Sequence, residues 1–311
     1  MKRELTVSLT GGLGNQLFQY AALLNFGKGR EIGLTADFGK PRVQIDGIPE
    51  LFAYNVGCEI KRFRRTLLSE KFAGYLLRLG VHKKWWEIKP LMRILVSVVG
   101  SLYLSVVNRR FIGIRGYSAL GYSQEFTIGR STNLLVGYFQ NGIWVGDVEI
   151  RRMMMKLSLK KTNSNVQELI DKSKKERPLV VHVRLGDYRK EADFGILPKE
   201  YYELAINRAW ETESFGAIWL FSDETSDALN KIPRELQGFV RVIDETFSAA
   251  ESLELMRYGN GYVIANSTFS WWGAMLSYKA SPLVIAPKKW FKNLADPENL
   301  IPDSWERVRS W

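Results

Sequence analysis

Apolar and polar positions alternate almost from the start of the chain, and Leu5–Thr10 predicts a first strand. A glycine-rich turn follows. Apolar residues then recur at helical spacing (Leu17, Phe18, Ala21, Ala22, Leu24), which predicts a helix from about Asn15 to Gly27. Gly33–Asp37 and Asn133–Phe139 read as further strands. The stretch Leu157–Lys175 is polar and charged with no strand character, and the domain boundary is placed there, dividing the chain into 1–158 and 159–311. Beyond it the pattern is regular. Short apolar runs at Leu179–Arg184, Ala217–Phe221, Phe239–Ile243, Gly261–Ala265 and Leu283–Ala286 read as strands. Ala249–Tyr258 and Phe269–Tyr278 read as helices between them. Strand and helix in alternation imply an α/β fold with parallel sheets. The expected architecture is two Rossmann-like domains facing across a cleft.

Composition changes this picture in one place. The net charge of the 311 residues is +11, and Lys61–Arg115 carries thirteen Lys and Arg against only Glu70 and Glu87. The rest of the chain is therefore balanced. The basic residues are interleaved with apolar and aromatic ones (Trp85, Trp86, Tyr103, Phe111). Two readings stay open: a solvated basic insert, or a patch for an anionic lipid surface. No nucleic-acid motif accompanies the charge, so nucleic acid is not expected as a partner. The longest uncharged run here, Ile94–Asn108, is shorter than the roughly 20 residues that span a bilayer. With one cysteine, Cys58, and no signal-peptide pattern at the start, the expectation is a cytoplasmic protein, resting peripherally on the inner face of the membrane if the patch binds lipid.

In an open parallel sheet, ligands collect beyond the C-terminal ends of the strands, so the residues after each strand are the candidates. After the first strand comes Gly11-Gly12-Leu13-Gly14-Asn15-Gln16. Glycines let backbone N–H groups approach a phosphate at a helix N-terminus, although Asn15 could simply cap a tight turn. After Leu179–Arg184 the motif reads HVRLGDY, with His182 and Arg184 on one face and Gly186 and Asp187 following. A guanidinium there can fork onto a diphosphate, or form a plain ion pair with Asp187. Ser222-Asp223-Glu224 follows the next strand and suits ribose or base hydrogen bonding, or a helix cap. Asn266-Ser267-Thr268-Phe269 opens a helix with hydroxyls and amides, while Trp271 and Trp272 read as core.

Taken together, GGLGNQLFQYA, GYFQ, HVRLGDY, FSDE and NSTFSWWGA resemble the motif series of glycosyltransferase family 11, the bacterial α-1,2-fucosyltransferases, from Gly11 to Ala274. The resemblance implies a B-type glycosyltransferase fold and inverting transfer from GDP-fucose to the 2-hydroxyl of a galactose-terminated oligosaccharide or glycolipid. It implies no cofactor and no metal, in keeping with the lack of Asp-x-Asp in the sequence. Carried over, Arg184 would hold the donor diphosphate with His182, Gly186 and Asp187 beside it. Ser222, Asp223 and Glu224 would meet the nucleoside, and Asn266, Ser267, Thr268 and Phe269 would bracket phosphate and base. Gly12, Gly14, Asn15 and Gln16 would face pyrophosphate and fucose. Asp187 and then Glu224 are the expected general bases. Three departures stand out: Leu185 where many members have a second arginine, NGIWVGD after GYFQ, and Asp-Glu rather than Asp-Asp in FSDE. The second bears on acceptor choice.

Overall fold

The computed structural model describes residues 4–36, 40–61, 116–117, 134–243, 246–296 and 299–311. Apart from Lys61, the basic segment lies outside the described residues, as does the run Ile94–Asn108. The chain forms two compact units, Met1–Ser158 with Glu298–Leu300, and Leu159–Pro297 with Ile301–Trp311.

The first unit is built on strands β1 (Glu4–Ser8), β2 (Glu31–Thr35), β3 (Glu59–Ile60), β4 (Gly116–Tyr117) and β5 (Leu134–Gly137), in the order β3-β2-β1-β5-β4. All pairs are parallel. Helix α1 (Leu13–Phe26) starts two residues earlier than its periodicity suggests. It is buried over most of its circumference, which is why its sequence is apolar beyond a single stripe. Its N-cap is Gly12, which offers no side-chain cap, so Asn15 lies inside the first turn and is not the cap. Two short helices, α2 (Gly142–Gly146) and α3 (Val148–Met155), follow β5, capped by the side chains of Asn141 and Asp147.

The second unit opens with α4 (Ser164–Glu176), whose N-cap is Asn163. Its strands are β6 (Leu179–Val183), β7 (Ile218–Ser222), β8 (Val240–Val242), β9 (Gly261–Val263), β10 (Leu283–Pro287) and β11 (Glu306–Val308). Their order is β11-β10-β9-β6-β7-β8, again all parallel. This is the doubly wound arrangement, in which the order reverses between the first and fourth strands of the unit, here β6 and β9. Helices α5 (Lys199–Thr212), α6 (Thr225–Leu229), α7 (Ala249–Met256) and α8 (Thr268–Met275) connect the strands. β6 reads Leu-Val-Val-His-Val and is buried along its whole length, as a central strand covered on both faces must be. Val181 and Val183 pack with Tyr201, Ala205 and Ile206 of α5 and with Leu220, Val263 and Ile285 of the neighbouring strands. The α/β fold with two parallel sheets is as the alternating pattern predicts.

Candidate active site

The reversal between β6 and β9 brings the loop after each strand to one end of the second sheet. Arg184, just past β6, is the charged group at this point. Its Nε donates to Asp187 Oδ1 at 3.0 Å, and its Nη1 lies 2.9 Å from Asp223 Oδ2. Burial opposes its charge, but Asp187 and Asp223 together hold the guanidinium more firmly protonated than usual. Its side chain is 20% exposed, so the fixed cation is not sealed from solvent. Asp223 also accepts the Leu185 N–H through Oδ1 at 3.0 Å, which ties the end of β7 to the β6 loop. A Cβ at Gly186 would stand 2.5 Å from Asp223 Oδ2, so any larger residue here would have to displace the Asp223 carboxylate.

His182 lies beneath this cluster, buried against Phe269 with ring centroids 5.8 Å apart. Burial, assisted by the Arg184 charge, lowers its pKa to about 3, so the imidazole is neutral at physiological pH. Its Nδ1 has no hydrogen-bond partner among the described residues. Tyr188 lies near Arg184, its ring centroid 5.8 Å from the guanidinium carbon, and its hydroxyl donates to Asn266 O at 2.9 Å. This links the β6 loop to the β9 loop. At the start of α8, Ser267 is the N-cap and its hydroxyl accepts the Phe269 N–H. Thr268 and Phe269 are half-buried at this end, whereas Trp271 and Trp272 are fully buried core residues.

The first sheet reverses between β1 and β5, and the glycine loop sits there. Gly11 adopts φ +73°, which a side chain would strain, and this turns the chain from β1 into α1. Gln19 accepts the Thr10 N–H at 3.0 Å and donates to Gly137 O at 2.9 Å, joining the ends of the two strands. Gln140 donates to Asn15 Oδ1 at 2.9 Å, so the GYFQ segment and the glycine loop meet.

A family description, Glycosyl transferase family 11, matches residues 119–305, well over half of the 311. The chain belongs to glycosyltransferase family 11. It is 26% identical to the O-antigen biosynthesis glycosyltransferase WbnK of Escherichia coli, over 96% of this chain and 98% of that protein. It is 25% identical to an alpha-1,2-colitosyltransferase of the same species, over 96% and 97%. Among solved structures it is similar to the fucosyltransferase NodZ from Bradyrhizobium, at 15% identity and TM-score 0.46, covering 95% of this chain and 97% of that one.

Within this glycosyltransferase several expected donor contacts have another task. Gln16 is fully buried; both its amide hydrogens go to Gly11 O and Arg42 O, and its carbonyl accepts the Leu51 N–H. It braces the loop rather than facing a ligand. Asn266 is likewise buried, with its amide spent on Phe194 O and Gly195 O. Glu224 is bound by Arg189, which holds its carboxyl below the usual range, and Asp227 joins the same guanidinium. Glu224 is the N-cap residue of α6, but its side chain makes no cap, and Ser222 instead accepts the Glu224 N–H. Asp187 is 56% exposed yet tied to Arg184.

Arg42, Glu50, Tyr188 and Arg189 escaped the sequence reading. Arg42 and Glu50 lie in a stretch without periodicity, and only the folded chain brings them to the glycine loop. Arg189 directly follows HVRLGDY and was within reach of the motif. Among the described residues no group of three or more His, Cys, Asp or Glu is gathered to hold a metal ion, and no helix is long and apolar enough to cross a membrane.

Proposed function

We propose that this family 11 glycosyltransferase transfers L-fucose from GDP-fucose to the 2-hydroxyl of a terminal galactose, with inversion at the anomeric carbon. The observation that carries the reading is Arg184, a partly exposed guanidinium fixed by two carboxylates at the switch point of the second sheet. A diphosphate leaving group gathers negative charge as the bond from C1 of fucose to the β-phosphate oxygen breaks. A cation already oriented for that charge stabilises the transition state without reorganising. The start of α8, with Ser267 and Thr268, adds the partial positive charge of a helix N-terminus on the same side of the sheet. His182, neutral and buried, adds no charge and shapes the floor beneath Arg184.

The second reading is a transferase using another sugar nucleotide. It is favoured by the relative named for α-1,2-colitosyl transfer. A non-catalytic nucleotide- or glycan-binding module is the third, and the family membership weighs against it. One assay separates them: release of GDP from GDP-fucose with lactose present and absent. Lactose-dependent release with a fucosylated product supports the proposal. Transfer only from a different sugar nucleotide supports the second reading, and tight GDP binding without turnover supports the third. The basic segment 61–115 further suggests an enzyme that rests on the cytoplasmic face of an anionic membrane, where lipid-linked acceptors are found.

A further inference from the structure

Arg184 directly follows β6, and the start of α8 follows β9. A diphosphate can use both only if their spacing is fixed, and the sheet alone does not fix it. β9 ends at Val263, and Ile264–Asn266 is loop before the Ser267 N-cap.

The tie between the two is Tyr188, in the 3-10 turn Asp187–Lys190. Its ring centroid lies 5.8 Å from the Arg184 guanidinium carbon, within cation–π reach. Its hydroxyl donates to Asn266 O at 2.9 Å, on the residue just before Ser267. Asn266 is pinned a second time through its side chain, whose Nδ2 donates to Phe194 O at 3.0 Å and Gly195 O at 3.1 Å. Phe194 packs on the Tyr188 ring, with centroids 5.6 Å apart. Backbone and side chain of Asn266 are thus both held by the segment 188–195, and the start of α8 is held with them. His182 lies where the two elements join, two residues before Arg184 on β6 and against Phe269 in the first turn of α8. It is 5% exposed, and its Nδ1 has no partner among the described residues. Buried nitrogens are normally paired, so this one points to a ligand atom at the join.

Packing alone does not call for the Tyr188 hydroxyl. A phenylalanine would place the same ring against Arg184 and Phe194 and would leave Asn266 O without this donor. Resting on the proposed transfer from a nucleoside diphosphate sugar, we infer that Tyr188 is a positioning residue: its hydroxyl holds the start of α8 at the spacing from Arg184 that a diphosphate bridges. In this role it acts through Arg184 and Asn266 and needs no contact with the reacting atoms.

The test uses the full chain with GDP as the binding probe, and GDP-fucose with lactose for turnover. Tyr188→Phe should raise the Kd for GDP about tenfold and lower kcat/KM for GDP-fucose by a similar factor, close to the worth of one hydrogen bond. KM for lactose should move less than about threefold. A merely structural role is separated by a double-mutant cycle. With Arg184→Ala one of the two anchors is gone, so adding Tyr188→Phe should change the Kd for GDP less than about threefold. A folded Tyr188→Phe with wild-type GDP affinity and kcat/KM overturns the inference. So does a tenfold loss repeated in full in the Arg184→Ala background, because the effect then does not depend on Arg184. If Tyr188→Phe does not melt cooperatively, Asn266→Ala replaces it in the cycle with the same expected and overturning outcomes. That change keeps the carbonyl that Tyr188 bonds but frees it from Phe194 and Gly195. Failure of the underlying function looks different. A wild type that binds GDP but releases none from GDP-fucose in response to lactose ends the fucosyl-transfer reading, and the cycle in GDP affinity still decides Tyr188. A wild type that binds no GDP overturns both.

Discussion

Asp223 at the end of β7 grips Arg184 at the end of β6, with Oδ2 2.9 Å from Nη1, while its other oxygen takes the Leu185 N–H at 3.0 Å. One carboxylate thus fixes both the side chain and the backbone that carries it. If a diphosphate binds there, as proposed above, the guanidinium does not need to find its orientation. Arg184→Ala should cost about 3 kcal/mol of transition-state stabilisation, roughly a hundredfold in kcat/KM, in a protein that still unfolds cooperatively. Arg184→Lys should recover little, because an ammonium cannot fork between Asp223 and a phosphate. Steady-state kinetics beside a circular-dichroism melt checks both; a folded Arg184→Ala with full turnover removes Arg184 from the site.

If Arg184 and the start of α8 neutralise the diphosphate, as proposed above, a divalent cation has no task there. Turnover is expected to continue in excess EDTA. Complete loss with chelator, restored by manganese, would mean that the charge is met by a metal instead.

His182 makes stability depend on pH. Its folded pKa is depressed to about 3 by burial and by Arg184, against 6.5 for an ordinary histidine. The unfolded chain therefore binds a proton that the folded one refuses, and stability falls as pH drops below 6.5. By pH 5 the loss should be about 2 kcal/mol from this residue. Urea unfolding of wild type and His182→Gln at several pH values measures it. The variant should lose that part of the acid slope, and an identical slope in both would show that the imidazole is already charged when folded.

Arg257 is fully buried in the α7–α8 pair, bonded to Glu254 at 2.8 Å and to Leu276 O at 3.1 Å, with Tyr278 4.3 Å from its guanidinium carbon. Arg257→Ala leaves the buried Glu254 charge with only the Tyr278 hydroxyl as partner and removes the donor to Leu276 O. It should destabilise the protein by about 3–5 kcal/mol, read from the denaturant midpoint. A change under about 1 kcal/mol would show that the pair is compensated by solvent.

The basic segment 61–115 should bind vesicles containing anionic lipid, at about 1 kcal/mol for each engaged Lys or Arg, and salt should weaken the binding. Reversing the charge of Arg62, Arg64 and Arg65 should lessen sedimentation with vesicles while sparing turnover on lactose. Protein that stays in the supernatant at low salt with lipid in excess would show the segment to be merely solvated.

Much of the second unit was legible because buried parallel strands write themselves as short apolar runs and their ends carry the polar motifs. Leu179–Val183 and Leu283–Pro287 match the runs within a residue. β11 was not legible: Glu-Arg-Val is a three-residue edge strand whose pairing with β10 depends on tertiary context. Motif reading also put polar residues in contact with ligand that the fold uses internally. Gln16 sits in the first turn of α1 and Asn266 in the loop after β9, both buried, and there the backbone claims their amides first. Glu50 could not be found this way, because its partner Leu13 is 37 residues away.

Residues 298–300 return to the first unit after the chain has built most of the second, and Asn299 O there accepts the Gly142 N–H at 2.7 Å, with Leu300 O closely overlying Gly142. The next stretch goes back to supply β11. During synthesis, then, neither unit can finish folding before the other has nearly emerged from the ribosome. A nonsense codon near position 298 would leave the α2 end without its strap and the second sheet without an edge, so one truncation injures both halves at once.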